Sequence, residues 1–288
     1  MDRLVIDHVS KHFGKTAALQ SVSLQIGHGL FGLLGPNGAG KTTFMRVLAT
    51  LLAPDSGSIR YKDIQWGKQS ERVRNILGYL PQNFNVFKNI SGYECLDYIG
   101  VLKGLRDKKQ RRAQIETLLE RVNLTAEAHK KTGHYSGGMK RRLGIAQALL
   151  GNPEIIIVDE PTAGLDPEER IRFRNVLREV ATGRIIVLST HIVEDIEATC
   201  SSVAVIKKGI ATQFDSLSKL AQEAAGHVWL WKVRPEQAID LQSKVNVISS
   251  TTTEDHVELR VLAKESPSRE AIPVSPTLEE GYLIWNQR

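Results

Sequence analysis

The segment Gly35 to Thr42, GPNGAGKT, lies between an apolar run, Leu30 to Leu34 (LFGLL), and a stretch, TTFMRVLATLL, that reads as a helix closing near Pro54. The pattern G-x-x-x-x-G-K-[ST] between a strand and a helix constrains this chain more than any other feature, because it needs a buried strand, a bare backbone turn and a helix N-terminus in that order. Glycines let successive backbone N–H groups converge on phosphate oxygens, and the helix end adds positive potential. Gly35, Pro36, Asn37, Gly38, Ala39, Gly40, Lys41, Thr42 and Thr43 are therefore the candidate nucleotide-binding residues. Lys41 is placed to reach β and γ phosphates, and the Thr42 hydroxyl to ligate magnesium.

Further along, the chain alternates. Ile76 to Leu80 reads as a short strand, and RRAQIETLLERVNL as a helix with Ile115, Leu118, Leu119 and Val122 on one face. Ile155 to Val158 is apolar without polar alternation, as in a strand buried on both faces. A helix with Phe173, Val176, Leu177 and Val180 on one face, a strand from Arg184 to Leu188, the helix VEDIEATC and a strand from Val203 to Ile206 continue the α/β pattern. The interruption from about Phe84 to Leu150 reads as a helical insertion. After about residue 222 the segments HVWLWKV and HVELRVLA read as strands and TLEEGYLIW as a closing helix, a small α+β appendage over 223–288.

Composition excludes several classes. A chain of 288 residues with 41% hydrophobic and 24% charged residues buries a core without staples. It has no run of about 18 apolar residues, and its start, MDRLVIDHVSKHF, lacks the layout of a secretory signal, so a cytoplasmic location is expected. Cys95 and Cys200 lack the spacing of a zinc or redox pair. The net charge of +6 suits an anionic partner. The basic run Arg106 to Arg112 reads as a solvated helix start, and no direct nucleic-acid contact is expected.

Two further segments carry chemistry. IIIVDE ends a buried strand in Asp159 and Glu160, the edge where α/β sheets place ligand chemistry. Asp159 is the candidate magnesium ligand, through water, and Glu160 the candidate base that polarises water for attack on a γ-phosphate. In YSGGMKRR, Ser136, Gly137 and Gly138 open a helix with bare backbone, a second place where phosphate fits.

The order of these segments, with Gln82 in LGYLPQ, the AGLD turn at Ala163 to Asp166 and His191 in VLSTH, resembles that of ATP-binding cassette (ABC) ATPases over about residues 2–220. The resemblance implies a P-loop NTPase core of mostly parallel sheet, with an antiparallel β edge and a helical insertion at about 84–150, as an ATPase domain over 1–222. It implies Phe13 stacking on adenine, Gln82 linking magnesium, water and a membrane partner, and His191 sensing the γ-phosphate. It implies that Ser136, Gly137 and Gly138 touch the γ-phosphate held by a second subunit, in a head-to-tail homodimer with two ATP at its interface, which Asp166 helps organise.

The signature departs from the family's L-S-G-G-Q at Tyr135 and Met139, and AHKKTGH lacks a glutamate that many multidrug exporters carry. With GMKRRLGIAQALL this resembles the subfamily that energises ABC-2-type permeases. The expected function is the ATP-hydrolysing subunit of an exporter, using ATP and Mg2+, bound through a separate permease to the cytoplasmic face of the membrane. The competing class is an ABC ATPase acting on ribosomes or DNA. The chain shows neither a second cassette, a long coiled-coil interruption nor cysteine-rich zinc modules.

Overall fold

The computed structural model describes residues 2–287. Two antiparallel strands open the chain, β1 (Leu4–Phe13) and β2 (Thr16–Ile26), turning at Gly14, whose φ of 57° suits glycine. β3 (Gly29–Leu34) leads through the glycine-rich turn into α1 (Lys41–Leu48). The expected end of that helix near Pro54 is corrected: it closes at Leu48. Thr50 turns to positive φ (61°), and the amides of Leu51 and Leu52 both return to the Arg46 carbonyl.

There follow β4 (Ser56–Tyr61), β5 (Ile64–Gln65), α2 (Ser70–Ile76) and β6 (Leu77–Leu80). Between β6 and β7 (Ile155–Asp159) lie α3 (Gly92–Leu102), α4 (Lys108–Arg121) and α5 (Gly137–Leu149). The first unit continues with α6 (Pro167–Val180), β8 (Ile185–Thr190), α7 (Val193–Thr199), β9 (Ser202–Lys207) and β10 (Ile210–Phe214).

Two sheets share the core. An antiparallel sheet runs in the order β2-β1-β4-β5, and a six-stranded sheet in the order β10-β9-β3-β8-β7-β6, parallel from β9 to β6. Every residue of β7 and β8 is buried, so IIIVD and IIVLST show no polar alternation. Leu4 and Ile6 of β1 join Phe31 and Leu33 of β3 and Phe44 and Met45 of α1 in one cluster. Because β3, β8, β7 and β6 are neighbours and parallel, the loops leaving them open side by side on one sheet edge.

The chain divides into two compact units, the first ending at Gln213 and the second beginning at Phe214. The boundary expected at 222/223 is therefore placed earlier, because α8 (Leu217–Ala221) packs on the last helix of the second unit. That unit continues with β11 (Val228–Val233), α9 (Pro235–Lys244), β12 (Val247–Thr252), β13 (Val257–Leu262), β14 (Ile272–Pro273) and α10 (Leu278–Gln287). Its antiparallel sheet has the order β12-β13-β11-β14, and Val233, Ala238, Val257, Leu259 and Val261 form a small core.

The tail TLEEG pins α10 in two ways. Thr277 and Glu280 form a reciprocal cap: the Thr277 amide donates to Glu280 Oε2 at 2.7 Å, and the Glu280 amide to Thr277 Oγ1 at 3.3 Å. The same carboxylate takes a bidentate pair from Arg260 of β13, at 2.7 and 2.9 Å. Burial pushes the Glu280 carboxyl up, but Arg260 and the Thr277 cap outweigh it and hold it below the usual range. The next residue, Gly281, lets α10 close on α8, where an added Cβ would stand 2.1 Å from the Leu220 carbonyl oxygen. Gly281→Val should cost the second unit about 1–3 kcal/mol by overpacking. Calorimetry of the full chain should show an earlier transition for it, and an unchanged melting profile would show that this contact is not tight.

Candidate active site

The glycine-rich turn is threaded between two other backbones. A Cβ at Gly35 would lie 2.3 Å from the Ile206 carbonyl oxygen, and one at Gly40, where φ is 110°, would lie 2.5 Å from that of Ala18. Glycine is the residue that fits both places. The Gly209 amide donates to the Ala39 carbonyl at 2.9 Å, tying the turn to the β9–β10 connection. Lys41 is buried, and its ammonium donates to Gly35 O at 2.6 Å and Pro36 O at 3.1 Å. Pro36, Asn37, Gly38, Gly40, Lys41, Thr42, Thr43, Gln82 and Glu160 all line a cavity of about 740 Å3, large enough for a nucleotide.

The exits of β7 and β8 supply the acids and the histidine. Asp159 and Glu160 are both buried. Glu160 Oε1 is 3.1 Å from Lys41 Nζ, and Glu160 Oε2 is 2.7 Å from His191 Nδ1. Glu160 adopts a positive φ (47°), and its amide donates to the Ser189 carbonyl at 3.0 Å. Ser189 also donates its hydroxyl to Asp159 Oδ1 at 2.5 Å. Burial pushes the Asp159 carboxyl up, and the Ser189 and Thr42 hydroxyls pull against that shift. Asp159 Oδ2 is buried without a hydrogen-bond partner. Ser189 carries no motif signal in the sequence; only its pairing opposite Asp159 in the sheet register reveals it.

Gln82 follows β6 and joins the same cavity. Its carbonyl accepts from Arg141 Nη1 of α5 at 2.6 Å, a contact the sequence does not announce. Phe13 is not part of the cavity lining: its ring is half exposed at the β1–β2 turn, in register with Thr16, which does line it. Ser136, Gly137 and Gly138 also lie outside this cavity, at the N-terminus of α5. Asp166 caps α6, accepting from the Glu169 amide at 2.8 Å.

The two signature departures have local reasons. Tyr135 is buried and donates its hydroxyl to the Glu127 carbonyl at 2.7 Å, against Gly92 of α3, where a Cβ would come within 2.3 Å of that hydroxyl. Met139 takes the fifth position in a reciprocal cap: Ser136 Oγ accepts from the Met139 amide at 3.1 Å, and Met139 Sδ lies 3.5 Å from the Ser136 amide. Cys95 and Cys200 are free and buried, their thiols pushed up by burial to about 11 and about 12. Neither lines the cavity.

Residues 19–163 match the family model described as ABC transporter. The Nod factor export ATP-binding protein I of Rhizobium sp. (strain N33) is 33% identical over 301 aligned residues, covering 98% of this chain and 97% of that one. The chain belongs to the ABC transporter family, as an ATP-binding and ATP-hydrolysing subunit. The linearmycin resistance ATP-binding protein LnrL of Bacillus subtilis (strain 168) is 31% identical over 268 residues, covering 90% of this chain and 85% of that one. Among solved structures, a dimeric bacterial ABC transporter cassette superposes with a TM-score of 0.65 at 25% identity, covering 74% of this chain and 98% of that one.

In this cassette Lys41 is the cation buried against the carbonyls of the glycine-rich turn. Lys41→Ala should weaken ATP binding at least about 100-fold, in line with the loss of charge-assisted hydrogen bonds. Fluorescent-nucleotide titration of the folded variant checks this, and wild-type affinity would remove Lys41 from the site.

Proposed function

We propose that two copies of this subunit sandwich two ATP molecules head to tail and drive export through a separate ABC-2-type permease. The observation that carries the proposal is the Glu160 carboxylate, held by Lys41 on one side and His191 on the other at the wall of the cavity. In that position Glu160 polarises the water that attacks the γ-phosphate, and His191 both orients Glu160 and senses the phosphate. Lys41 and the turn amides after Pro36, through Thr43, hold the phosphates, and Phe13 offers its exposed ring to the adenine.

The residues fit Mg2+. Among the described residues no cluster of three or more His, Cys, Asp or Glu forms a cage. The buried, unpartnered Asp159 Oδ2, with the Thr42 hydroxyl beside that carboxylate, suits instead a hard cation that keeps waters and phosphate oxygens as ligands. Thr42, Asp159 and Gln82 would hold it. When bound, it neutralises charge developing on the phosphates.

The dimer reading is supported by the separation of Ser136, Gly137 and Gly138 from their own cavity, and by the dimeric state of a similar cassette. In the dimer they meet the partner's γ-phosphate, with Asp166 beside the junction. The export direction is supported by relatives named for Nod factor export and linearmycin resistance. Among the described residues no helix is long and apolar enough to cross a membrane. Relatives named as ATP-binding proteins of export and resistance systems support a separate permease, with this subunit on its cytoplasmic face. ATP closes the dimer, hydrolysis reopens it, and the helices at about 84–150 pass the motion on. The first unit, ending at Gln213, carries the ATPase, and the second, from Phe214, serves regulation or dimerisation.

Glu160→Gln keeps the shape but loses the proton acceptor. Turnover should fall by about 100-fold or more while ATP still binds, and ATP should then trap a dimer. Ser136→Arg should prevent that dimer. Light scattering that finds only monomer for Glu160→Gln with its permease and saturating MgATP would overturn the sandwich.

A further inference from the structure

Thr162 and Asp195 stand apart from the motifs already assigned, yet they connect the segments that carry Glu160 and His191. Thr162 lies two residues after Glu160 and is buried. Asp195 lies four residues after His191, in α7, and is fully buried. The Thr162 hydroxyl donates to Asp195 Oδ2 in a short bond. The other oxygen, Oδ1, has no hydrogen-bond partner and lies 3.8 Å from the Arg174 guanidinium of α6. Arg174 is itself anchored on the Glu194 carbonyl at 3.3 Å. A carboxylate buried this completely with one hydroxyl and one distant cation is costly, and its removal from water must be offset by what it holds in place.

The held element is strained. Glu160 sits at φ 47°, a region a glutamate seldom adopts, so the chain on either side must enforce it. Upstream, the Ser189 hydroxyl and carbonyl fix Asp159 and the Glu160 amide. Downstream, Pro161 donates no amide bond, and the Thr162 side chain makes the next anchoring contact to α7.

Resting on the assignment of Glu160 to hydrolysis, we infer that Thr162 and Asp195 are positioning residues that lock Glu160 onto His191 and Lys41. They form a latch behind the reacting atoms, and neither is among the residues lining the cavity. Losing the latch frees the Glu160 backbone to leave its strained conformation. A displacement of this kind costs turnover without touching the groups that bind phosphate.

The test compares full-length Thr162→Val, which keeps the shape and loses the hydroxyl, with Thr162→Ser, which keeps the hydroxyl. Thr162→Val should lower kcat by about 10- to 100-fold with ATP affinity held within about twofold, and Thr162→Ser should restore most of the rate. Asp195→Ala should match Thr162→Val, and the double variant should lose no more than either single one, because the two act as a unit. Should Thr162→Val not fold, the comparison of Asp195→Ala with Thr162→Ser decides. Unchanged kcat in the folded variants, or a parallel loss of affinity and rate, overturns the latch. Glu160→Gln is measured alongside: normal turnover there defeats the role of Glu160 itself, whereas a stalled Glu160→Gln beside an unaffected Thr162→Val defeats the latch alone.

Discussion

Lys41, Asp159 and Glu160 lie almost fully out of water at one edge of the parallel sheet. Each isolated charge would cost several kcal/mol to bury, so each must find a counter-charge or a hydrogen bond. Lys41 takes two carbonyls and the Glu160 carboxylate, Glu160 adds His191, and Asp159 takes the Ser189 hydroxyl. These groups come from the C-terminal ends of β7 and β8 and from the loops after β3, β7 and β8. Strand order, strand direction and the closeness of the glycine turn to neighbouring backbone all follow from the need to bring those loops together.

Much of this was legible in the sequence. GPNGAGKT between an apolar strand and a helix, and IIIVDE ending in two acids, specify both elements and chemistry through residue types that act locally. Gln82, Lys41, Thr42 and Glu160 meet in one cavity as the motif order implies. Other features were not legible, because they depend on partners distant in sequence. Ser189 matters only through its register opposite Asp159, Arg141 only through the carbonyl of Gln82, and Thr162 only through Asp195. The strands β1 and β2 carry mixed polar and apolar residues with register shifts, which blur the period-two pattern. The boundary between units was also hidden. α8 follows the cassette smoothly in sequence, and only the bare Cα of Gly281 shows which neighbour it packs on.

The second unit illustrates how a short tail becomes well defined. Its buried core is small, and a body of this size is close to the limit for independent stability. Glu280 compensates by doing three tasks with one carboxylate: closing the first turn of α10, receiving the Arg260 guanidinium, and fixing the helix over the sheet. The tail motif, read by itself as a generic closing helix, is thus a specific joint.

The contact between Tyr135 and Gly92 reaches beyond this one chain. The phenol occupies the volume that any side chain at position 92 would need, and its hydroxyl is anchored on Glu127. A descendant that replaced Gly92 first would be damaged, whereas one that first exchanged Tyr135 for a shorter residue would free position 92 to vary. Space for a side chain at position 92 is therefore conditional on what stands at position 135. Chains that share this tyrosine are expected to share the glycine, while chains with a leucine there are released from it.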